Sequence, residues 1–245
     1  IGVVATDARL MGGTVMQGMS MQQVGRHLLI DELSKQYEVE AVDLNSPVTK
    51  DLYDALIAVQ PSSLAPPQFD RFLQAIQSGV PVAIFEDPAP VGTGYITPTG
   101  APKQSPGGMF GGGGPVPKGD IRKLWDLLEI NVPGQANPQG MYTPDLVWQS
   151  HMPYEVLKDS ANELWIFVDE ANPSVTGEGR SLSKDSIITS GMKEVLAILP
   201  GAVEAKNDSN FNHIPLLRTG TESGLINGSR MRDLMTGATT FAQEV

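Results

Sequence analysis

The stretch Tyr53–Pro88 constrains the fold more than any other, because it reads as a complete strand–helix–strand unit. Ala55–Gln60 is a short apolar run rich in β-formers, closed by the turn signal Pro61-Ser62-Ser63. Pro66 and Pro67 suit only the first turn of a helix, where a missing N–H costs nothing. Phe69, Phe72, Leu73 and Ile76 then recur at i, i+3, i+4 and i+7, forming one apolar helical face. Gly79 stands where a helix C-terminus favours a left-handed residue. Val80–Phe85 follows as a second buried strand, ended by Glu86-Asp87-Pro88. Two apolar strands joined by an amphipathic helix imply a right-handed parallel crossover.

The same grammar holds upstream. Ile1–Thr6 reads as a strand that starts at the first residue, as expected of a chain cut from a longer one. Met21, Val24, Leu28, Leu29 and Leu33 predict a helix to about Gln36, and Glu38–Leu44 a further strand. Strands near 1–6, 38–44, 55–60 and 80–86 then form a doubly wound, mostly parallel α/β sheet with helices over its faces. The expected organisation is a single α/β domain over 1–245. Its parts are core βαβ units in 1–88, a Gly/Pro-rich loop in 89–119, the rest of the sheet and helices in 120–226, and a tail in 227–245.

Pro88–Gly119 is dominated by glycine and proline, with few side chains able to enter a core, so Gly92–Lys118 is expected to be a mobile loop. A phosphate-cradling loop would need GxxxxGK followed by Ser or Thr, whereas Lys118 is followed by Gly119 and Asp120. No GxGxxG follows the first strand. Order returns at Asp120–Ile130, where Ile121, Leu124, Trp125 and Leu128 share a helical face behind Asp120 as N-cap. Leu146–Gln149 and Leu164–Asp169 read as strands, Ile187–Ile198 mixes a strand with a helix around Met192–Ile198, and Ile214–Arg218 is the last clear element.

A net charge of −11 with no basic patch argues against nucleic-acid binding. The absence of cysteine removes thiol nucleophiles, thiolate metal sites and disulfides together. No cofactor motif and no metal-ligand spacing such as HxH or HxxxH is present.

Asp7, Asp43, Glu86 and Asp87 fall at or just beyond the carboxyl ends of predicted strands, where α/β sheets place their ligands. A carboxylate cluster there suits cation binding or acid–base work, while single Asp and Glu residues at strand ends also cap turns. Ser62 is the one residue placed like a nucleophile on a turn after a strand, without the flanking glycines of a nucleophile elbow. A hydroxyl nucleophile needs a base, and the three histidines, His27, His151 and His213, are scattered. Asp7, Ser62, Glu86 and Asp87 are therefore candidates for ligand or partner binding, and no residue is assigned a catalytic role. Asn207-Asp208-Ser209 and Asn227-Gly228-Ser229 fit a glycosylation pattern and read as turns.

Four blocks in this order carry a family resemblance: Tyr37–Leu44, Tyr53–Pro88, Ile121–Val132, and Ser190–Glu204 with Ile214–Ile226. The chain resembles the extracytoplasmic domain of gliding-motility-type (GldG-like) auxiliary proteins of ABC transporters. The resemblance implies a fold similar to class I glutamine-amidotransferase-like and flavodoxin-like α/β domains, without enzymatic activity or cofactor. It further implies ABC permease and ATPase subunits as partners, and a periplasmic position tethered by membrane helices outside this fragment. The long Gly/Pro-rich loop departs from that pattern. The competing reading is a hydrolase or carbohydrate-processing enzyme on a similar sheet.

Overall fold

The computed structural model describes residues 1–17, 20–91, 95–103, 114–137, 140–157, 163–172 and 181–231. Contacts group the chain into two units, Ile1–Leu127 with Pro138–Tyr142, and Leu128–Asn137 with Thr143–Val245.

Unit 1 contains β1 (Gly2–Val4), β2 (Gly13–Gln17), β3 (Ser20–Val24), α1 (Leu28–Leu33), β4 (Glu40–Val42), β5 (Leu56–Val59), α2 (Pro66–Gln77), β6 (Val82–Phe85) and α3 (Arg122–Leu127). Four strands make one parallel sheet in the order β4-β1-β5-β6, with Val3 opposite Ala41 and Ile57, and Ala58 opposite Ile84. The β5–α2–β6 crossover forms as the sequence predicts, but β6 is not the buried strand expected: it ends the sheet order, no residue of it is buried and Phe85 is 56% exposed. Phe69 and Phe72 are fully buried with Leu56 and Ala58, and each such ring is worth about 1.5–3 kcal/mol of transfer free energy. Gly79 takes φ 89° at the end of α2, where Val80 N–H returns to Ala75 O at 3.2 Å.

One expectation of secondary structure in this unit fails locally. The helix predicted from Met21 is instead a β2–β3 hairpin, with Gly13 opposite Val24 and Met16 opposite Met21. Only Leu28–Leu33 is helical, capped by His27, whose Nδ1 accepts from Leu29 N–H at 3.2 Å. With one buried residue, Ile30, α1 gives the sheet little cover. The helix near Asp120 does form, over Arg122–Leu127, and Asp120 Oδ1 accepts from Arg122 N–H at 3.1 Å.

Unit 2 carries β7 (Ile130–Asn131), β8 (Gly134–Ala136), β9 (Tyr142–Pro144, all but its first residue), β10 (Leu146–Gln149), β11 (Trp165–Asp169), β12 (Glu194–Ile198), β13 (Glu204–Ala205) and β14 (Ser223–Ile226). These strands add no parallel member. Antiparallel pairs join β7 with β13, β10 with β14 and β11 with β12, and β8 pairs with β9. The predicted helix at Met192–Ile198 is β12, because Val195 and Ala197 alternate inward onto Val147, Ile166, Val168 and Leu182. Ile214–Arg218 contributes only an isolated bridge, Leu182 to Leu217. The fold is thus α/β around a four-stranded parallel sheet, accompanied by small antiparallel pairs.

Candidate functional site

The carboxyl ends of β1, β5 and β6 bring the predicted candidates together. Strand order reverses between β1 and β5, the place where open α/β sheets keep a ligand crevice. Here the gap is bridged by the chain itself. Thr6 Oγ1 donates to Val59 O, and Asp7 N–H donates to Ser63 Oγ at 3.0 Å. Gln60 ends β5 in the left-handed region at φ 57°, which turns the chain into the Pro61–Ser63 turn. Gln60, Ser62 and Ser63 are each 1% exposed, so their polar atoms need partners inside the protein.

Those partners come from β6 and from the Gly/Pro-rich segment. Gln60 Nε2 faces Asp87 O at 2.9 Å, Glu86 Oε1 at 3.2 Å and Thr97 O at 3.2 Å, while Gln60 Oε1 accepts from Asp87 N–H at 3.1 Å. Glu86 accepts from Ser62 N–H at 3.1 Å and from Thr99 Oγ1 at 2.5 Å. Asp87 Oδ1 accepts from Ala89 N–H at 2.9 Å, a local turn cap. Lys103 reaches Asp7 Oδ1 at 2.7 Å and Ser63 O at 3.1 Å. Lys118 Nζ spends its three hydrogens on the carbonyls of Pro98, Thr99 and Ala101, at 3.0, 3.0 and 3.1 Å. The described parts of the Gly/Pro-rich segment are therefore anchored to the sheet, contrary to the expectation that little holds them. Its expected mobility otherwise concerns 92–94 and 104–113, which lie outside the described residues.

Burial sets the electrostatics. Glu86 as a residue is partly exposed, but its carboxyl group is deeply enclosed. Desolvation raises its pKa, against the opposing pull of Ser62, Thr99 and Lys118. Desolvation also raises Asp87 and lowers Lys118 to about 8, Glu86 and Asp7 resisting the latter shift. The cluster is an internally satisfied polar network whose charges are costly to hold.

The fourth strand-end carboxylate, Asp43, stays apart. It accepts from Asn45 N–H at 2.9 Å and serves its own turn. Ser62 Oγ meets Gln60 Nε2 at 3.5 Å, and among the described residues no histidine bonds to it. His151 instead pairs with Asp169 at 2.7 Å, and His213 with Ser209 at 2.8 Å. In that last group Ser209 Oγ also meets Glu129 at 2.8 Å, so the serine lies between the acid and the imidazole rather than at the end of a relay. Among the described residues no three His, Asp or Glu side chains gather as a metal site.

Sequence reasoning found the carboxylates and Ser62 but missed Gln60, Thr99, Lys103 and Lys118. One signal was present: Lys103 and Lys118 are the two cations of a segment otherwise devoid of charge.

Among the described residues no helix is long and apolar enough to cross a membrane. No curated protein and no solved structure matches the chain. A family model described as ABC-type uncharacterized transport system matches residues 1–244. Since that match spans the fold and the polar network together, the chain belongs to the auxiliary family of this ABC-type transport system.

Proposed function

We propose that the chain is a non-catalytic binding and scaffolding component of an ABC-type transport complex, of the GldG-like, gliding-motility kind, working on the periplasmic face of the membrane. Its partners are the permease and ATPase subunits of the same system, and its tether lies in membrane helices outside this fragment. The strand order β4-β1-β5-β6 supports a doubly wound, amidotransferase-like or flavodoxin-like ancestry for the parallel sheet.

One observation carries the non-catalytic reading: the crevice end of the sheet is hydrogen-bonded by the chain's own segments, through Thr97, Thr99 and Lys103 and through Gly119 N–H to Leu64 O. Among the described residues no imidazole bonds to Ser62, which weighs against the hydrolase or carbohydrate-processing alternative. Asp7 and Glu86 act in docking by holding this cap through Lys103 and Thr99, Ser62 and Asp87 support them from the turn and from β6, and the cap presents the surface a partner meets.

The test is co-purification of the tagged full-length protein with the permease and ATPase subunits. Wild-type protein captures both, and Glu86→Gln, which weakens the cap, captures less while remaining folded by circular dichroism. Capture of neither subunit by the wild type would refute the proposal.

A further inference from the structure

In unit 2 the lateral edge of β12 away from β11 carries no strand among the described residues. Trp165 faces Ile198 and Asp169 faces Glu194, and Leu199 N–H donates to Leu164 O at 2.9 Å. In that register Val195 and Ala197 exchange their backbone bonds with β11. The N–H and C=O groups of Glu194, Leu196 and Ile198 therefore point away from it. Among the described residues none of these outward groups meets a hydrogen-bond partner.

The side chains at the same positions share the face opposite the packed Val195 and Ala197. Leu196 is 42% exposed and Ile198 36%. Natural sheets blunt such an edge with charges, proline or a bulge, because unpaired backbone beside apolar side chains is a template for another strand. Here the outward positions carry a single charge, Glu194. At that end the edge runs into a groove of about 450 Å³ bordered by Tyr154, Glu170, Lys184, Met192 and Lys193. Lys184 is taken by Glu170, and Tyr154 donates to Glu194 at 2.7 Å. Among the described residues no cation pairs with Glu194.

We propose that this edge docks an extended segment of another polypeptide. The segment adds a strand beside β12, with apolar side chains opposite Leu196 and Ile198 and a basic one opposite Glu194. A second copy fits less well. Every two-fold pairing of the edge with itself sets Glu194 against Glu194, Leu196, Ile198 or Pro200, never a cation, and brings together two chains of net charge −11. The inference rests on unit 2 alone and goes beyond the role given to the parallel sheet.

The test selects displayed random peptides of about ten residues, the length of a long strand, on the immobilised full chain. Selected peptides alternate apolar residues and carry Lys or Arg at one end. They bind Leu196→Thr within a few-fold of wild type and Leu196→Pro at least roughly tenfold more weakly. Proline at 196 removes an outward N–H and spares the β11 ladder. Leu196→Lys, which leaves the backbone alone, gives a similar loss should the proline variant misfold. Failure to enrich any peptide would overturn the proposal, as would selected peptides that bind both variants undiminished. A dimer in sedimentation that dissolves on Leu196→Pro or Leu196→Lys would overturn it in favour of a second copy.

Discussion

The carboxyl end of the parallel sheet and the lateral edge of β12 both present backbone and polar groups that a regular sheet leaves unmatched. In unit 1 those groups find partners within the chain: Gln60, Glu86, Thr99 and Lys118, far apart in sequence, close around one another. In unit 2 the outward groups of Glu194, Leu196 and Ile198 find none among the described residues. Carboxylates at strand ends therefore do not by themselves mark a ligand site. Capacity to bind depends on hydrogen-bonding valence left over, and by that measure the plain apolar strand is the more available of the two.

The comparison breaks first at Gln60. Gln60→Ala strips a donor from Thr97 O and an acceptor from Asp87 N–H, while Asp87 O keeps the Thr99 hydroxyl at 3.2 Å. Each buried group left unmet costs about 1–3 kcal/mol, so a large fall in melting temperature is expected. An unchanged melting curve would mean that the closed end is not closed. Next is Gly119, whose backbone lies against the buried Phe69 ring, so that any Cβ runs into it. Gly119→Ala should cost about 1–3 kcal/mol through overpacking, read by denaturant midpoint, and a neutral outcome would detach 114–119 from the helix.

The buried charges predict a pH signature with two windows. Glu86 has a raised pKa in the folded protein, so between 4.5 and that higher value the native state holds a proton the unfolded chain has lost. Its contribution to stability therefore falls as pH rises through that window. Lys118 is lowered from 10.5 to about 8, so between those values the unfolded chain holds the extra proton and stability rises with pH. Glu86→Gln should flatten the acid window and Lys118→Met the alkaline one, measured as melting temperature against pH. Identical profiles for wild type and variants would place both groups in solvent. The smallest effect belongs to the open edge: Leu196→Thr should change stability by no more than about 0.5 kcal/mol, as expected of an exposed position. A larger loss would show that the edge is covered.

Where structure is local, the sequence was readable. The β5–α2–β6 unit follows from Pro66, the Phe69–Ile76 face and Gly79 with no distant information. The β2–β3 hairpin was not readable, because Met21, Val24 and Leu28 share helical spacing and most of β3 is exposed, leaving no inward alternation to see. For β12 the competing periods coincided over a few residues, and only pairing with a strand some thirty positions earlier decided for the sheet. The candidate site was half legible for the same reason. Strand ends locate Asp7, Glu86 and Asp87, whereas Thr99 and Lys118 are recruited by three-dimensional approach from a segment whose composition signals only turns.

A non-catalytic role is tested most directly by turnover. The purified chain, presented with panels of ester, amide and glycoside substrates, is expected to release no product above the level of a Ser62→Ala variant. Turnover by the wild type that disappears on changing Ser62, His27, His151 or His213 would contradict that role and return the crevice end of the sheet to chemistry.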